Sequence, residues 1–115
     1  PYAYWWDEEV PEIKTIRDFN KRHHPEITYR PNSYMQGWFT GMIFVKAMQL
    51  CAEKKLPITG ENLKNMVPQI KDWDTNGLTG KVTVKETNST NVGRVYKADV
   101  KKGVFVPASD WIYLD

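Results

Sequence analysis

The sequence predicts an α/β chain in which helices come first and a β-rich tail follows. Helical periodicity runs to about Ile70, a cluster of turn formers (Asp74, Thr75, Asn76, Gly77) comes next, and period-two alternation opens at Lys81-Val82-Thr83-Val84. A chain of 115 residues has room for one hydrophobic core and not for two.

The first six residues are apolar and aromatic, and Asp7-Glu8-Glu9 then leads into a helix expected over about residues 11–24. Pro11 suits a first helical turn, acidic residues gather at its start, and Lys21, Arg22, His23 and His24 crowd its end, all complementing the helix dipole. Ile13, Ile16 and Phe19 form the apolar stripe, Lys14, Arg17, Asp18 and Lys21 face water, and Pro25 ends the helix. Residues 28–32 read as an extended linker. A long helix follows over about residues 34–54, with Asn32 or Ser33 as its cap. Its apolar residues (Trp38, Phe39, Met42, Ile43, Phe44, Val45, Met48, Leu50) surround most of the axis, which predicts burial on more than one side. Gln36, Thr40, Lys46 and Gln49 interrupt that run short of the roughly 20 residues that cross a bilayer, so no membrane span is expected.

Thr59 caps a third helix over about residues 60–70, with Leu63, Met66, Val67 and Ile70 as its stripe and Pro68 expected to kink it or end it early. Strands are predicted at about residues 81–85, 94–100 and 104–107, the last two joined by a hairpin turn at Lys101-Lys102-Gly103. Residues 87–93 read as a polar loop.

Composition excludes several functions. Net charge is +2 without a basic cluster, so the footprint of nucleic acid binding is missing. Cys51 is the single cysteine, read as an inert buried thiol, which leaves neither an intrachain disulfide nor a cysteine metal cage. Adjacent His23 and His24 point about 100° apart on a helix and do not share a metal easily, so no metal site is expected. Asp72 and Asp74 flank Trp73 beside a Gly-rich turn, where carboxylates serve Asx turns and caps. No nucleophile, phosphate-loop or dinucleotide motif is present, and neither catalysis nor a cofactor is expected. Asn88-Ser89-Thr90 fits the glycosylation sequon, a triplet that a Thr- and Asn-rich loop also produces by composition.

The chain holds 5 Trp, 6 Tyr and 4 Phe, enough both for a dense core and for a stacking site. Tyr34 is the foremost candidate for ligand binding. In the first turn of the long helix its ring can project into a cleft, beside free backbone N–H groups and the positive dipole end, which suit a carboxylate or another polar group. The alternative is an aromatic that packs the helix start. Trp5 and Trp6 precede a helix in irregular chain and either line a pocket or plug an apolar gap. Trp38, one turn further in than Tyr34, reads as core.

Several segments together resemble a known family. Tyr34-Met35-Gln36-Gly37-Trp38, Ala47, the run from Leu56 to Leu63, Trp73-Asp74-Thr75, Gly77-Leu78-Thr79-Gly80 and Ser109-Asp110-Trp111-Ile112 are similar, in order and spacing, to the solute-binding proteins of branched-chain amino acid type ABC transporters. These are type I periplasmic binding proteins, also called extracellular ligand-binding receptors. In them, two α/β lobes enclose a ligand and the chain crosses between the lobes three times. The resemblance implies that this chain corresponds to the C-terminal portion, with about residues 1–86 in the N-terminal lobe and about 87–115 returning to the other. It implies a non-catalytic protein of the periplasm or cell exterior that captures a small ligand (amino acid, amide or aromatic acid) and delivers it to a permease. A ligand-sensing domain of a regulator or receptor on the same fold is the alternative. Tyr34 matches a position where the family often sets an aromatic against the ligand, while the residues that hold α-amino and α-carboxylate groups lie mainly in earlier segments. Asn76 and Lys81 stand where the family often has Gly and Pro, and residues 87–93 lack a His common there; these departures touch loops and bear on the ligand more than on the fold. Detached from its lobes, the long helix would leave an apolar patch, and a homo-oligomer is expected. A monomer in sedimentation at high concentration would contradict that.

Overall fold

The computed structural model describes residues 2–85 and 89–114. It is a mixed α/β chain in which three helices precede small antiparallel two-stranded sheets. The order is α1 (Pro11–His23), α2 (Asn32–Glu53), α3 (Gly60–Met66), a 3₁₀ turn (Val67–Gln69), then β1 (Val92–Gly93), β2 (Tyr96–Asp99), β3 (Val104–Pro107) and β4 (Ile112–Tyr113).

Helix α1 begins at Pro11, whose missing N–H is one that a first turn leaves unbonded anyway. The next free N–H, that of Glu12, donates to the Asn76 carbonyl at 3.1 Å, so the helix start is tied to the distant turn. At the other end Asn20, only 3% exposed, acts as a clamp. Its Nδ2 donates to the Ile27 carbonyl at 2.7 Å and its Oδ1 accepts from Arg30 Nε at 2.8 Å, which fixes the chain's exit towards α2.

Helix α2 starts at Asn32 with Pro31 in the cap position and without a side-chain cap, contrary to the expected Asn32 or Ser33 cap. The Asn32 amide has a competing use. It donates to the carbonyls of Tyr2 and Ala3, at 3.3 and 3.4 Å, and holds the N-terminal strap. The C-terminal end is a Schellman motif: Lys55 is left-handed (φ 57°), Leu56 N–H donates to the Cys51 carbonyl and Lys55 N–H to that of Ala52. The expected burial of α2 on more than one side is corrected. Met35, Phe39, Ala47 and Cys51 are buried, while Gly37, Gly41, Phe44 and Val45 are exposed, Phe44 at 56%. The described residues supply apolar neighbours for one face only.

Thr59 caps α3 as expected, its Oγ1 accepting the Asn62 N–H at 3.2 Å. The helix predicted over 60–70 stops at Met66 and tightens into the 3₁₀ turn, because Pro68 has no N–H to continue the α-ladder. Met66 packs with Ala47 and the buried free thiol of Cys51.

The strand expected over 81–85 is corrected to two isolated bridges, Trp73 with Val82 and Val84 with Thr90. Asp72 is left-handed (φ 46°) and its N–H donates to Thr83 Oγ1, so the partner segment turns away before a ladder can extend. The strand expected over 94–100 is the shorter β2, which pairs with β3 in register from Tyr96–Pro107 to Asp99–Val104. Gly103 (φ 68°) and the Asp99 carboxylate, which accepts the Lys102 N–H, make the predicted hairpin turn. Within the expected polar loop, Val92 and Gly93 pair instead with Tyr113 and Ile112, and Thr90 bridges Val84. The sequon's Asn88 lies outside the described residues.

One main core joins these parts: Ile13 and Ile16 from α1, Met35 and Phe39 from α2, and Ile70, Leu78, Val82 and Val84 from the segment that follows. Gly80 lets the tail dock, since a Cβ there would come within 2.8 Å of Trp111 Cγ, Tyr113 Oη and Val92 Cγ2. Among the described residues no helix is long and apolar enough to cross a membrane.

Candidate functional site

The three aromatic candidates fall in two places. Trp6 lies in an aromatic ladder near the β2–β3 hairpin, stacked on Tyr4 at 4.6 Å and near-parallel to Tyr29 at 6.4 Å, its Nε1 donating to the Phe105 carbonyl. Trp5 is covered by Arg17, whose guanidinium carbon sits 4.8 Å from the ring centroid and whose Nη1 donates to the Trp5 carbonyl. Both tryptophans are half-buried and already in contact with protein groups on at least one face.

Burial in this ladder lifts the Asp7 carboxyl above its ordinary range; the Tyr4 N–H lowers it, Glu9 raises it and Arg94 lowers it. A raised carboxyl holds its proton more tightly in the folded chain, so its contribution to stability is full below the unfolded pKa and is lost as pH rises through the folded one. An asparagine side chain at this position would keep the acceptor for the Tyr4 N–H while staying neutral. The Asp7→Asn variant should therefore gain stability relative to wild type between about pH 3 and about pH 7. Urea melts at the two pH values check this; a difference that shrinks with rising pH would refute it.

Tyr34 stands apart from both tryptophans, on the rim of a groove of about 860 Å³ along the outer face of α2. The groove exists because of helical spacing. Tyr34, Gly37, Trp38, Gly41, Met42 and Val45 recur every three or four residues and form one continuous stripe. An added Cβ at Gly37 or Gly41 would meet nothing within 4 Å, so these glycines lie under open space. The tight turn after Trp73 supplies the opposite wall with Trp73, Asp74 and Asn76. Asp74 Oδ1 accepts the Asn76 N–H at 2.8 Å, the expected Asx turn, and Asn76 and Gly77 both take positive φ (57° and 85°), as a type I′ turn requires.

Glu12 lines the groove where α1 meets this turn and is only 8% exposed. Its Oε1 accepts from Trp38 Nε1 at 2.9 Å and its Oε2 from Asn76 Nδ2 at 3.4 Å. Neither Glu12 nor Asp74 has an ion-pair partner among the described residues. The α1 dipole stabilises a carboxylate in its first turn by about 0.3–1 kcal/mol. Taking that charge out of water costs several kcal/mol. The Trp38 bond at 2.9 Å is the stronger of the two that Glu12 accepts, and the Asn76 bond at 3.4 Å the weaker. This end of the groove thus carries two carboxylates that are hydrogen-bonded but not ion-paired within the described residues. Lys46, the groove's cationic residue, lies about 12 Å along the helix axis from Trp38. Arg30 covers the Tyr34 ring at 4.5 Å but does not line the groove.

Sequence reading found Tyr34 and missed Glu12, Trp73 and Asn76 as neighbours of one space. It also assigned Trp38 to the core, whereas this ring is half-buried, packing on the core and lining the groove. The Asx turn at Asp74 was legible. The meeting of its Asn76 with Glu12, 64 residues earlier in the chain, rests on a long-range contact that no local pattern carries. Comparisons with protein families, with curated proteins and with solved structures gave no match to this chain.

Proposed function

We propose that this chain forms one wall of the ligand cleft of a solute-binding protein that serves an ABC transporter outside the inner membrane. It would correspond to the C-terminal part of such a protein, capturing a small ligand and presenting the closed form to a permease. The observation that carries this reading is the position of Tyr34. It sits at the rim of an open groove of about 860 Å³ with aromatic walls, as the resemblance of its segment leads one to expect. Lobes that close over a ligand by hinge motion leave each half-site open when separated. The exposed Phe44, Val45, Leu56 and Ile58 on and just after α2 are consistent with a surface meant to be covered by further structure, and in the isolated chain they favour self-association.

A half-site lacks the enclosure on which affinity depends. Calorimetric titration of the 115-residue chain with leucine, phenylalanine and their amides should show no micromolar binding. Micromolar affinity in this isolated chain would contradict the proposal.

A further inference from the structure

We infer that the groove along α2 takes an organic cation, an amine or quaternary ammonium carried on an apolar tail. This rests on the reading of the groove as a ligand wall and names the chemical class of the ligand. Buried carboxylates in proteins are normally paired with a positive charge. Glu12 is more than nine-tenths buried, lines the groove, and has no ion-pair partner among the described residues. Asp74 adds a second carboxylate at the same end, also without a partner of that kind among them. The side chains around them are Tyr34, Trp38 and Trp73, and faces of such rings attract ammonium groups, most strongly where water is excluded. Arg30 over the Tyr34 ring shows the same attraction within the protein.

The rest of the groove fixes the direction of the ligand. Met42 and Val45 continue it as an apolar channel, and Lys46 lies towards the far end, where it disfavours a second cation. The ammonium group therefore sits between Glu12, Asp74 and the rings, with its tail along the exposed strip over Gly41 towards Val45. The uncapped N-terminus of α2 offers the opposite preference, for a carboxylate at Tyr34. Two carboxylates that line the groove itself, Glu12 and Asp74, outweigh the partial charge of one solvated helix end.

Indole N–H signals in a ¹⁵N spectrum provide the test, since Trp38 Nε1 is bonded to Glu12 itself. The 115-residue chain is titrated separately with hexylammonium, hexanol and hexanoate, which share one tail. Hexylammonium should shift the Trp38 and Trp73 signals saturably, with half-saturation at about tenfold lower concentration than either analogue. Glu12→Gln, which keeps an acceptor for Trp38, and Asp74→Asn, which keeps the Asx turn, should each erase most of that preference. Asp74 is exposed, so its variant remains a test if the Glu12 variant fails to fold. Equal shifts from all three probes, or a preference for hexanoate, would overturn the cation assignment and leave the groove as a ligand wall. Shifts absent from Trp38 and Trp73, or spread equally over Trp5, Trp6 and Trp111, would also overturn the cation assignment, while the ligand-wall reading stands or falls with the longer protein.

Discussion

Replacing Leu78 with Ala should lower the unfolding free energy by about 3 kcal/mol, within the roughly 2–5 kcal/mol range of buried leucine truncations. Leu78 is fully buried and belongs to the main core with Ile13 and Ile16 of α1 and Phe39 of α2. It occupies a turn segment with little regular secondary structure to share the loss. Its carbonyl accepts the Ala3 N–H at 2.7 Å, so the same residue anchors the N-terminal strap. Neighbouring ends are pinned by Gly77 and Gly80, where added Cβ atoms would come within 3 Å of Val10 and Trp111, so the segment has little freedom to collapse into the cavity. Urea denaturation reads the effect as a lower midpoint at unchanged slope. Phe44→Ala, at a side chain 56% exposed, should change stability by less than about 0.5 kcal/mol. A Leu78→Ala loss no larger than that of Phe44→Ala would mean that the turn is not part of the core.

The helices were legible because their signals are local. Pro11, Thr59 and Pro68 mark α1's start, α3's start and α3's early end, and the structure places all three accordingly. The hairpin at β2 and β3 was equally plain, with the turn at Lys101-Lys102-Gly103. Failures came where side chains serve distant partners. Asn32 reads as a cap but binds the strap at Tyr2 and Ala3. The alternation at Lys81-Val82-Thr83-Val84 reads as a strand, yet the left-handed Asp72 across from it allows only isolated bridges. The short β1 and β4 escaped notice because two-residue strands carry no periodicity. For the site, Tyr34 was visible from its place in a helix's first turn, whereas Glu12 looked like an ordinary acidic residue complementing a dipole. Its burial follows from packing against Trp38 and Asn76, which belong to different elements.

Truncating Tyr34 to Ala in the longer solute-binding protein proposed to contain this chain should weaken ligand binding by about 10- to 100-fold. Removing a ring from a closed cleft forfeits roughly 1.5–3 kcal/mol of apolar burial, and each 1.4 kcal/mol is about tenfold in affinity. Tyr34 also packs against the main core, so the ligand-free variant should lose some stability too, and affinities are compared well below both melting temperatures. Tyr34 lies at the rim of the groove, half-buried and packed on the main core, with Trp38 at 6.3 Å and Arg30 at 4.5 Å from its ring.

Calorimetry on that longer protein and its Tyr34→Ala variant is the most direct measurement. A micromolar ligand is expected for the wild type and at least a roughly tenfold weaker one for the variant, measured at a temperature where both proteins are folded. Equal affinity in the two proteins would contradict the assignment of Tyr34 and its groove to the ligand cleft.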